Sequence, residues 1–186
     1  MKSIIVFASG AGSNFSSILQ YAKTNHAFSI ALLVTNKEDA PVIQLAKAQA
    51  IPVLILNKEE FNSTEWIATL TACQPSLIVL AGFLWKIPEY LLNAFNGKII
   101  NIHPSLLPKY GGKGMYGMRV HQAVKEAGEM ESGITIHYVN EHYDEGAIIL
   151  QEKIAIVSAD TSEEIAKKVQ QLEHRFLPIT IHKLLQ

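Results

Sequence analysis

The sequence lacks the features that mark secreted, membrane and nucleic-acid-binding proteins. Its 186 residues contain one cysteine, Cys73, so no intramolecular disulfide can form, as is typical of a reducing cytoplasm. The 16 basic and 17 acidic side chains nearly cancel and form no long run of one sign. This argues against a broad surface for nucleic acid or membranes. The apolar run near the N-terminus, "IIVFA", is too short for a signal peptide or a membrane span. We therefore expect a cytoplasmic protein that binds neither nucleic acid nor membrane.

Length and composition predict one globular domain that covers residues 1–186. A chain of 186 residues with 48% hydrophobic side chains can bury a sizeable core. The sequence shows no internal repeat, low-complexity tract or linker.

Short apolar runs alternate with helical patterns along the first hundred residues. Because the runs are apolar at nearly every position, they predict strands that are covered on both faces, as in a parallel sheet. We expect an α/β fold with a Rossmann-like, mostly parallel sheet and helices on both faces. The predicted strands are 3–9, 28–36, 51–57, 77–82 and 97–103, and the predicted helices are about 14–25, 40–50, 63–74 and 88–96.

The pattern changes in the last third of the chain. Residues 132–139 and 147–157 predict neighbouring antiparallel strands. A final helix should start at Thr161, which has capping-box spacing to Glu164, and Pro178 should end or kink it.

A glycine-containing turn, "SGAGSN" at residues 9–14, follows the first strand. Glycine allows close approach of a ligand, and the exposed amides at a helix start attract an anion such as phosphate. Phe15 stands where a dinucleotide fingerprint needs a small residue, and no Walker-type lysine follows, which argues against NAD and ATP. The alternative is a turn without a ligand, capped by Ser13 or Asn14.

The segment "NIHPSLLPKYGGKGMYG" places Asn101 and His103 two residues apart at the end of a predicted strand. The two side chains should point the same way, towards the sheet edge where α/β proteins bind ligands, while Ile102 points into the core. An amide that donates to an oxyanion and a histidine that moves protons suit a carbonyl that becomes tetrahedral. Alternatively, His103 is only a hydrogen-bonded loop residue.

An acidic loop, "HYVNEHYDEG" at residues 137–146, offers a partner for His103. A carboxylate beside His103 would raise the pKa of the imidazole. Asp144 is the first candidate and Glu141 the second. His137, His142 and Asp144 could instead bind zinc or iron, although the sequence has no H-E-x-x-H motif and no cysteine pair.

Taken together, "SGAGSN", "LAGFLWKIP", "NIHPSLLPKYGG", "GITIHYVNEHYDEGAIILQ" and "VQQLEH" resemble the folate-dependent formyltransferases, over nearly the whole chain. The N-x-H-P-S-L-L-P segment and the downstream D-x-G loop are its most specific parts. The G-S-N turn and the Q-x-x-E-H helix are similar to the branch that acts on glycinamide ribonucleotide.

The resemblance implies formyl transfer from 10-formyltetrahydrofolate to 5'-phosphoribosylglycinamide in purine biosynthesis, without a metal, by a monomer or homodimer. It implies that Asn101, His103 and Asp144 are catalytic. It also implies that Gly12, Ser13, Asn14 and Glu173 bind the ribonucleotide, and that folate lies against Leu84, Trp85, Lys86 and Ile87, Asn101, and the loop of Asn140, Glu141, His142, Tyr143 and Asp144.

Three alternatives stay open on the sequence alone. The first is a related formyltransferase that acts on another amine, and the second is a formyltetrahydrofolate hydrolase. The third is a phosphosugar- or folate-binding module without turnover. The contacts of the folate tail also stay open, with Lys86 and Lys113 as candidates, as does the role of the glycine-rich loop at 111–119.

Overall fold

A computed structural model describes residues 1–186 and has one seven-stranded sheet. The strands lie in the order β3-β2-β1-β4-β5-β6-β7. β1 to β5 pair in parallel, β6 is antiparallel to β5, and β7 is antiparallel to β6. The strands are β1 (Ser3–Phe7), β2 (Ser29–Thr35), β3 (Val53–Ile55), β4 (Leu77–Leu80), β5 (Ile99–His103), β6 (Glu131–Tyr138) and β7 (Ile148–Ala155). The predicted α/β class and the antiparallel C-terminal strands are confirmed.

Seven helices connect or follow these strands. Four lie where the sequence pattern predicts them, α1 (Ser13–Asn25), α2 (Val42–Lys47), α4 (Ile67–Ala72) and α5 (Glu89–Ala94). Two were not predicted, α3 (Lys58–Phe61) and α6 (Met118–Glu126), and the last is α7 (Ser162–Leu184). No helix has the length and apolar character that a membrane crossing requires.

The core consists of two apolar clusters, one on each face of the sheet. Alternate residues of one strand enter different clusters, as Ile4 and Val6 of β1 do on one face and Ile5 and Phe7 on the other. The first cluster includes residues of α1, α2, α6 and α7, and the second includes residues of α4 and α5. Helices therefore cover both faces, which explains why the strands of the parallel region are apolar at successive positions.

Of the two outcomes predicted for Pro178, an end or a kink of the last helix, the end is wrong, because α7 continues to Leu184. The proline lacks an N–H and costs the helix one backbone hydrogen bond. However, Leu177 and Ile181 are fully buried on either side of it. Burial of that apolar face outweighs the lost bond. The capping box of Thr161 and Glu164 is present as predicted.

Candidate active site

The carboxyl ends of β1, β4 and β5 meet at one edge of the sheet, where the strand order reverses between β1 and β4. The turn after β1 is tied to the segment after β4, since the Ser9 amide donates to the Gly82 carbonyl at 3.1 Å and the Leu84 amide donates to Ser9 Oγ at 3.2 Å. Beside them lies a cavity of about 630 Å³. Its size and its place at a topological switch point are those of a small-molecule site.

Asn101 and His103 both line this cavity, at the end of β5. Ile102, between them, is buried and belongs to the core cluster that includes β1 and α7 residues. His103 is also buried, with 4% of its surface exposed. Two polar side chains are thus held in a largely apolar wall, where electrostatic interactions are stronger than in water.

Asp144 reaches the same wall from the loop between β6 and β7. Its carboxylate lies 3.5 Å from His103 Nδ1, accepts a hydrogen bond from Asn101 Nδ2 at 3.4 Å and accepts another from the Gly112 amide at 2.9 Å. The Asp144 backbone is left-handed, with φ 58°. The structure therefore brings the three residues predicted to be catalytic into one cluster.

His137 joins the cluster, although the sequence suggested it only as a metal ligand or a strand histidine. It lies opposite Asn101 in the antiparallel β5–β6 register, and its Nε2 is 3.1 Å from Asn101 Nδ2. Its Nδ1 lies 2.9 Å from the Tyr138 carbonyl. A neutral ring that carries its proton on Nδ1 satisfies both contacts, because Nε2 then accepts from the amide. His137 therefore orients the Asn101 side chain.

Two acceptors flank the His103 ring. Nε2 lies 2.7 Å from the Tyr110 carbonyl, and Nδ1 faces the Asp144 carboxylate. Since a carbonyl cannot donate, the short contact requires a hydrogen on Nε2. Proton uptake at Nδ1 would then complete an ion pair with Asp144.

The prediction that the pKa of His103 is raised is wrong. Burial lowers the pKa of His103 below its ordinary value, and this outweighs the upward effects of the Asp144 carboxylate and the Tyr110 carbonyl. The partner identified from the sequence does act in the expected direction, but the exclusion of water is stronger.

The pKa of Asp144 lies below its ordinary value. Burial alone would raise it, but the nearby rings of His137 and His103 and the hydrogen bond from the Gly112 amide together lower it further. The carboxylate is therefore ionised at neutral pH and can stabilise a proton on His103.

The turn after β1 leads directly into α1, and its N-cap is Gly12, with φ 80° and no side-chain cap. The alternative that Ser13 or Asn14 caps the helix is therefore wrong. Asn14 instead donates to Glu173 Oε2 at 3.0 Å, and Ser13 Oγ accepts from Gln170 Nε2 at 3.3 Å. Asn14 and Glu173 line the main cavity, whereas Ser13 lines a neighbouring groove and Gly12 lines neither. The uncapped first turn of α1 leaves amides that suit an anion.

Gly12→Ala should destabilise the fold, by roughly 1–3 kcal/mol. A methyl group at this position would lie 2.6 Å from Cγ2 of Val42, which is fully buried, and the positive φ disfavours alanine. Thermal unfolding monitored by circular dichroism would measure the loss. Gly10→Ala is the matched control, because a methyl group there meets nothing within 4 Å. Equal melting temperatures for the two variants would contradict the assignment of strain to Gly12.

Glu173 is the most strongly perturbed acid of the cavity. Burial raises its pKa to about 7, against a smaller opposing effect of the Asn14 hydrogen bond. In the unfolded chain a glutamate titrates near pH ~4.3. Below that pH both states keep the proton, and above about pH 7 both have lost it. In between, only the unfolded state has lost it, so this group makes stability fall as the pH rises.

Glu173→Gln should remove that part of the pH dependence. Glutamine keeps an acceptor for Asn14 but does not titrate, so the variant gains stability relative to the wild type as the pH rises from 5 to 8. Urea unfolding of both proteins at the two pH values measures the difference. If the difference in unfolding free energy between the two proteins were the same at pH 5 and pH 8, Glu173 would not have the raised pKa.

Most of the residues predicted to lie along folate line the cavity. Leu84, Trp85, Lys86 and Ile87 line it after β4, and Asn140, His142, Tyr143 and Asp144 line it after β6. Glu141 does not line it. Its side chain is 72% exposed and lies 3.5 Å from His142 Nε2, outside the cavity lining, and it makes no contact with His103. Lys86 also lies over the Tyr143 ring, at 5.9 Å.

The residues that suggested a metal site do not converge. The side chain of His142 is 61% exposed beside Glu141, whereas His137 and Asp144 lie in the wall of the cavity. No group of three or more His, Cys, Asp or Glu side chains is arranged to hold a metal ion.

The segment predicted to be a glycine-rich loop continues into α6, which brings a fourth histidine, His121, to the cavity. His121 is buried, and burial together with the nearby His103 lowers its pKa to about 4. Lys113 and Arg119 line the cavity from the same segment. The sequence signal for α6, a short amphipathic stretch after four glycines, was outweighed by those glycines.

The chain is similar to known proteins over almost its whole length. A family model described as "Formyl transferase" matches residues 2–181 of the chain. The phosphoribosylglycinamide formyltransferase of Bacillus subtilis is 43% identical over 192 residues, which cover 100% of this chain and 95% of that protein. The crystal structure of the Bacillus halodurans phosphoribosylglycinamide formyltransferase superposes with a TM-score of 0.91 at 38% identity, covering 100% of this chain and 96% of the other.

Plant relatives are longer than this chain. The chloroplastic phosphoribosylglycinamide formyltransferase of Arabidopsis thaliana is 42% identical over 181 residues, which cover 94% of this chain and 62% of the plant protein. The Vigna unguiculata protein is likewise covered over 58% of its length. The family model spans almost the entire sequence and the structural likeness extends from end to end. The chain belongs to the formyl transferase family.

Proposed function

We propose that the protein transfers the formyl group of 10-formyltetrahydrofolate to the amine of 5'-phosphoribosylglycinamide. The observation that carries the proposal is the cluster of Asn101, His103, His137 and Asp144 in the wall of a cavity that extends to Asn14 and Glu173. Relatives from bacteria and plants bear the name of this activity.

The two ends of the cavity suit the two substrates. Near the start of α1, open backbone amides suit a phosphate, and Glu173 suits the hydroxyls of a ribose. The segments at 84–87 and 140–144 offer apolar side chains and backbone groups for a flat pterin. Lys86, Lys113 and Arg119 add positive charge to a cavity whose proposed ligands are both anionic. The reacting groups would then meet at Asn101 and His103.

In the proposed reaction the amine nitrogen attacks the formyl carbon, and negative charge grows on the formyl oxygen. The Asn101 amide stabilises that charge. The longer contact of this amide is the 3.4 Å hydrogen bond to Asp144, which is the one that a substrate oxygen would replace. A preorganised donor of this kind is worth roughly 10²–10³ in rate.

His103 holds a proton during the reaction, and Asp144 stabilises the protonated ring. Burial lowers the pKa of His103, but a growing oxyanion beside the ring favours its protonated form. Asp144 stabilises that form through Nδ1. When the tetrahedral intermediate collapses, the bond between the formyl carbon and folate N10 breaks, and the proton lost by the amine passes to N10. No step of this scheme uses a metal.

The proposal treats residues 1–186 as one catalytic unit, as a monomer or a homodimer in the cytoplasm. Cavity residues come from β4, α6 and α7, so both halves of the chain are needed to complete it. The single cysteine is compatible with a reducing compartment.

A rate assay tests the proposal. Purified protein is mixed with 10-formyltetrahydrofolate and 5'-phosphoribosylglycinamide, and deformylation of the folate is followed by absorbance while each substrate is omitted in turn. We expect a rate that requires the ribonucleotide. A rate that persists without any amine would identify a hydrolase instead. Binding of both ligands without turnover would favour a binding module.

A further inference from the structure

We propose that Tyr110 and Glu129 form a positioning network that fixes the positions of the catalytic pair, His103 and Asp144, relative to each other. The inference rests on the proposed function for its kinetic test, and it assigns a role to two residues outside the reacting cluster. Its basis is a short segment, Tyr110 to Gly112, that contacts both members of the pair.

This segment makes a hydrogen bond to each member of the pair. The Tyr110 carbonyl accepts from His103 Nε2 at 2.7 Å, and the Gly112 amide donates to Asp144 Oδ2 at 2.9 Å. Gly111, between them, is packed so closely that an added methyl group would lie 2.5 Å from Leu107 Cδ2 and 3.3 Å from Asp144 Cβ. A small rotation of this backbone would therefore change both contacts together.

The backbone of the segment is strained and needs an external restraint. Tyr110 has φ 57°, in the left-handed region that a bulky residue rarely occupies. Such a conformation persists only where surrounding contacts enforce it.

Glu129, beyond the end of α6, supplies that restraint. Tyr110 Oη donates to Glu129 Oε1 at 2.9 Å, and Lys109 Nζ donates to the same oxygen at 2.8 Å. Both hydrogen bonds lower the pKa of Glu129, so the carboxylate stays charged as an acceptor. On the other side, Ser105 Oγ donates to the Lys109 carbonyl at 2.7 Å. The Tyr110 side chain thus connects Glu129 to the backbone carbonyl that orients His103.

The Tyr110 carbonyl determines which His103 nitrogen carries the proton. With the Tyr110 carbonyl in place, the hydrogen sits on Nε2, and Nδ1 stays free to be protonated against Asp144. The other ionisable side chains around His103 are His137 on β6 and His121 on α6, and neither reaches Nε2 in place of Tyr110.

Tyr110→Phe and Glu129→Gln test the network, with Glu131→Gln as the matched control. Glu131 accepts from Lys153 Nζ at 2.7 Å in a comparable exposed pair and does not line the cavity. We expect Tyr110→Phe to lower kcat about tenfold, the scale of one lost hydrogen bond, with both KM values within about twofold of the wild type. Glu129→Gln, which keeps an amide oxygen, should lose less.

A spectroscopic measurement on substrate-free protein separates this inference from the proposed function. In wild type labelled with ¹³C and ¹⁵N, the His103 ring should show a protonated Nε2 coupled across the hydrogen bond to the Tyr110 carbonyl carbon. In Tyr110→Phe that coupling should weaken, and the pKa of His103 should fall because the carbonyl raises it.

Two results would overturn the network. One is a wild-type His103 whose Nε2 carries no proton in the neutral ring, and the other is a Tyr110→Phe protein with the kinetics and ring spectrum of Glu131→Gln. If Tyr110→Phe does not fold, the Glu129→Gln spectrum and the wild-type coupling decide the question. Absence of formyl transfer by the wild type would reject the proposed function and leave the spectroscopic test intact.

Discussion

Asp144→Asn should lower turnover about 10³-fold while the protein stays folded. The carboxylate is the only group in the cluster that contacts His103, Asn101 and the Gly112 amide together. An amide of the same shape cannot stabilise a proton on His103, so the imidazolium that forms during the reaction loses its counter-charge. The effect should fall on kcat, because the pair acts in the transition state.

The substitution is well suited to the position. Asp144 has φ 58°, and asparagine tolerates this left-handed conformation, whereas alanine would add strain. Glu145→Gln is the control, since it removes one negative charge from the adjacent, exposed residue. Stopped assays at substrate saturation measure kcat for both variants. A near-normal kcat for Asp144→Asn would remove Asp144 from the mechanism.

Asn101→Ala should lower turnover by roughly 10²–10³-fold, the usual loss for one oxyanion donor. The variant keeps His103 and Asp144 but has no amide to meet the formyl oxygen. It also leaves His137 Nε2 and Asp144 Oδ1 without the donor that they share in the wild type. Stability should therefore fall by about 1–2 kcal/mol, which urea unfolding would show.

A control variant and a kinetic pattern distinguish the loss of turnover in Asn101→Ala from its loss of stability. Asn25→Ala removes an exposed asparagine whose amide donates to the Tyr21 carbonyl at the end of α1 and which does not line the cavity. It should leave kcat unchanged. If Asn101→Ala raised only KM, the amide would bind the substrate without stabilising the transition state.

The parallel sheet could be predicted from the sequence because burial on both faces leaves a direct record in it. Ile4, Ile5, Val6 and Phe7 are all fully buried, and an uninterrupted apolar run is the outcome of that environment. The convergence of Asn101, His103 and Asp144 followed from the strand-end argument and the family resemblance. These are the features in which local pattern and global topology agree.

Other features depend on packing that the sequence does not record. The pairing of His137 with Asn101 requires the register of β5 and β6, which is set by side-chain packing across the sheet. The downward shift in the pKa of His103 depends on how completely water is excluded from the ring. The passage of α7 through Pro178 depends on the burial of Leu177 and Ile181 against the core.

The fate of a labelled formyl carbon tests the central claim most directly. 10-Formyltetrahydrofolate labelled with ¹³C at the formyl carbon is incubated with the wild-type protein and 5'-phosphoribosylglycinamide, and the products are analysed by mass spectrometry. The account predicts that the label moves to the ribonucleotide as a new formamide, one label per folate consumed, and that Asp144→Asn forms this product far more slowly. Recovery of the label as free formate, with the ribonucleotide unchanged, would contradict formyl transfer.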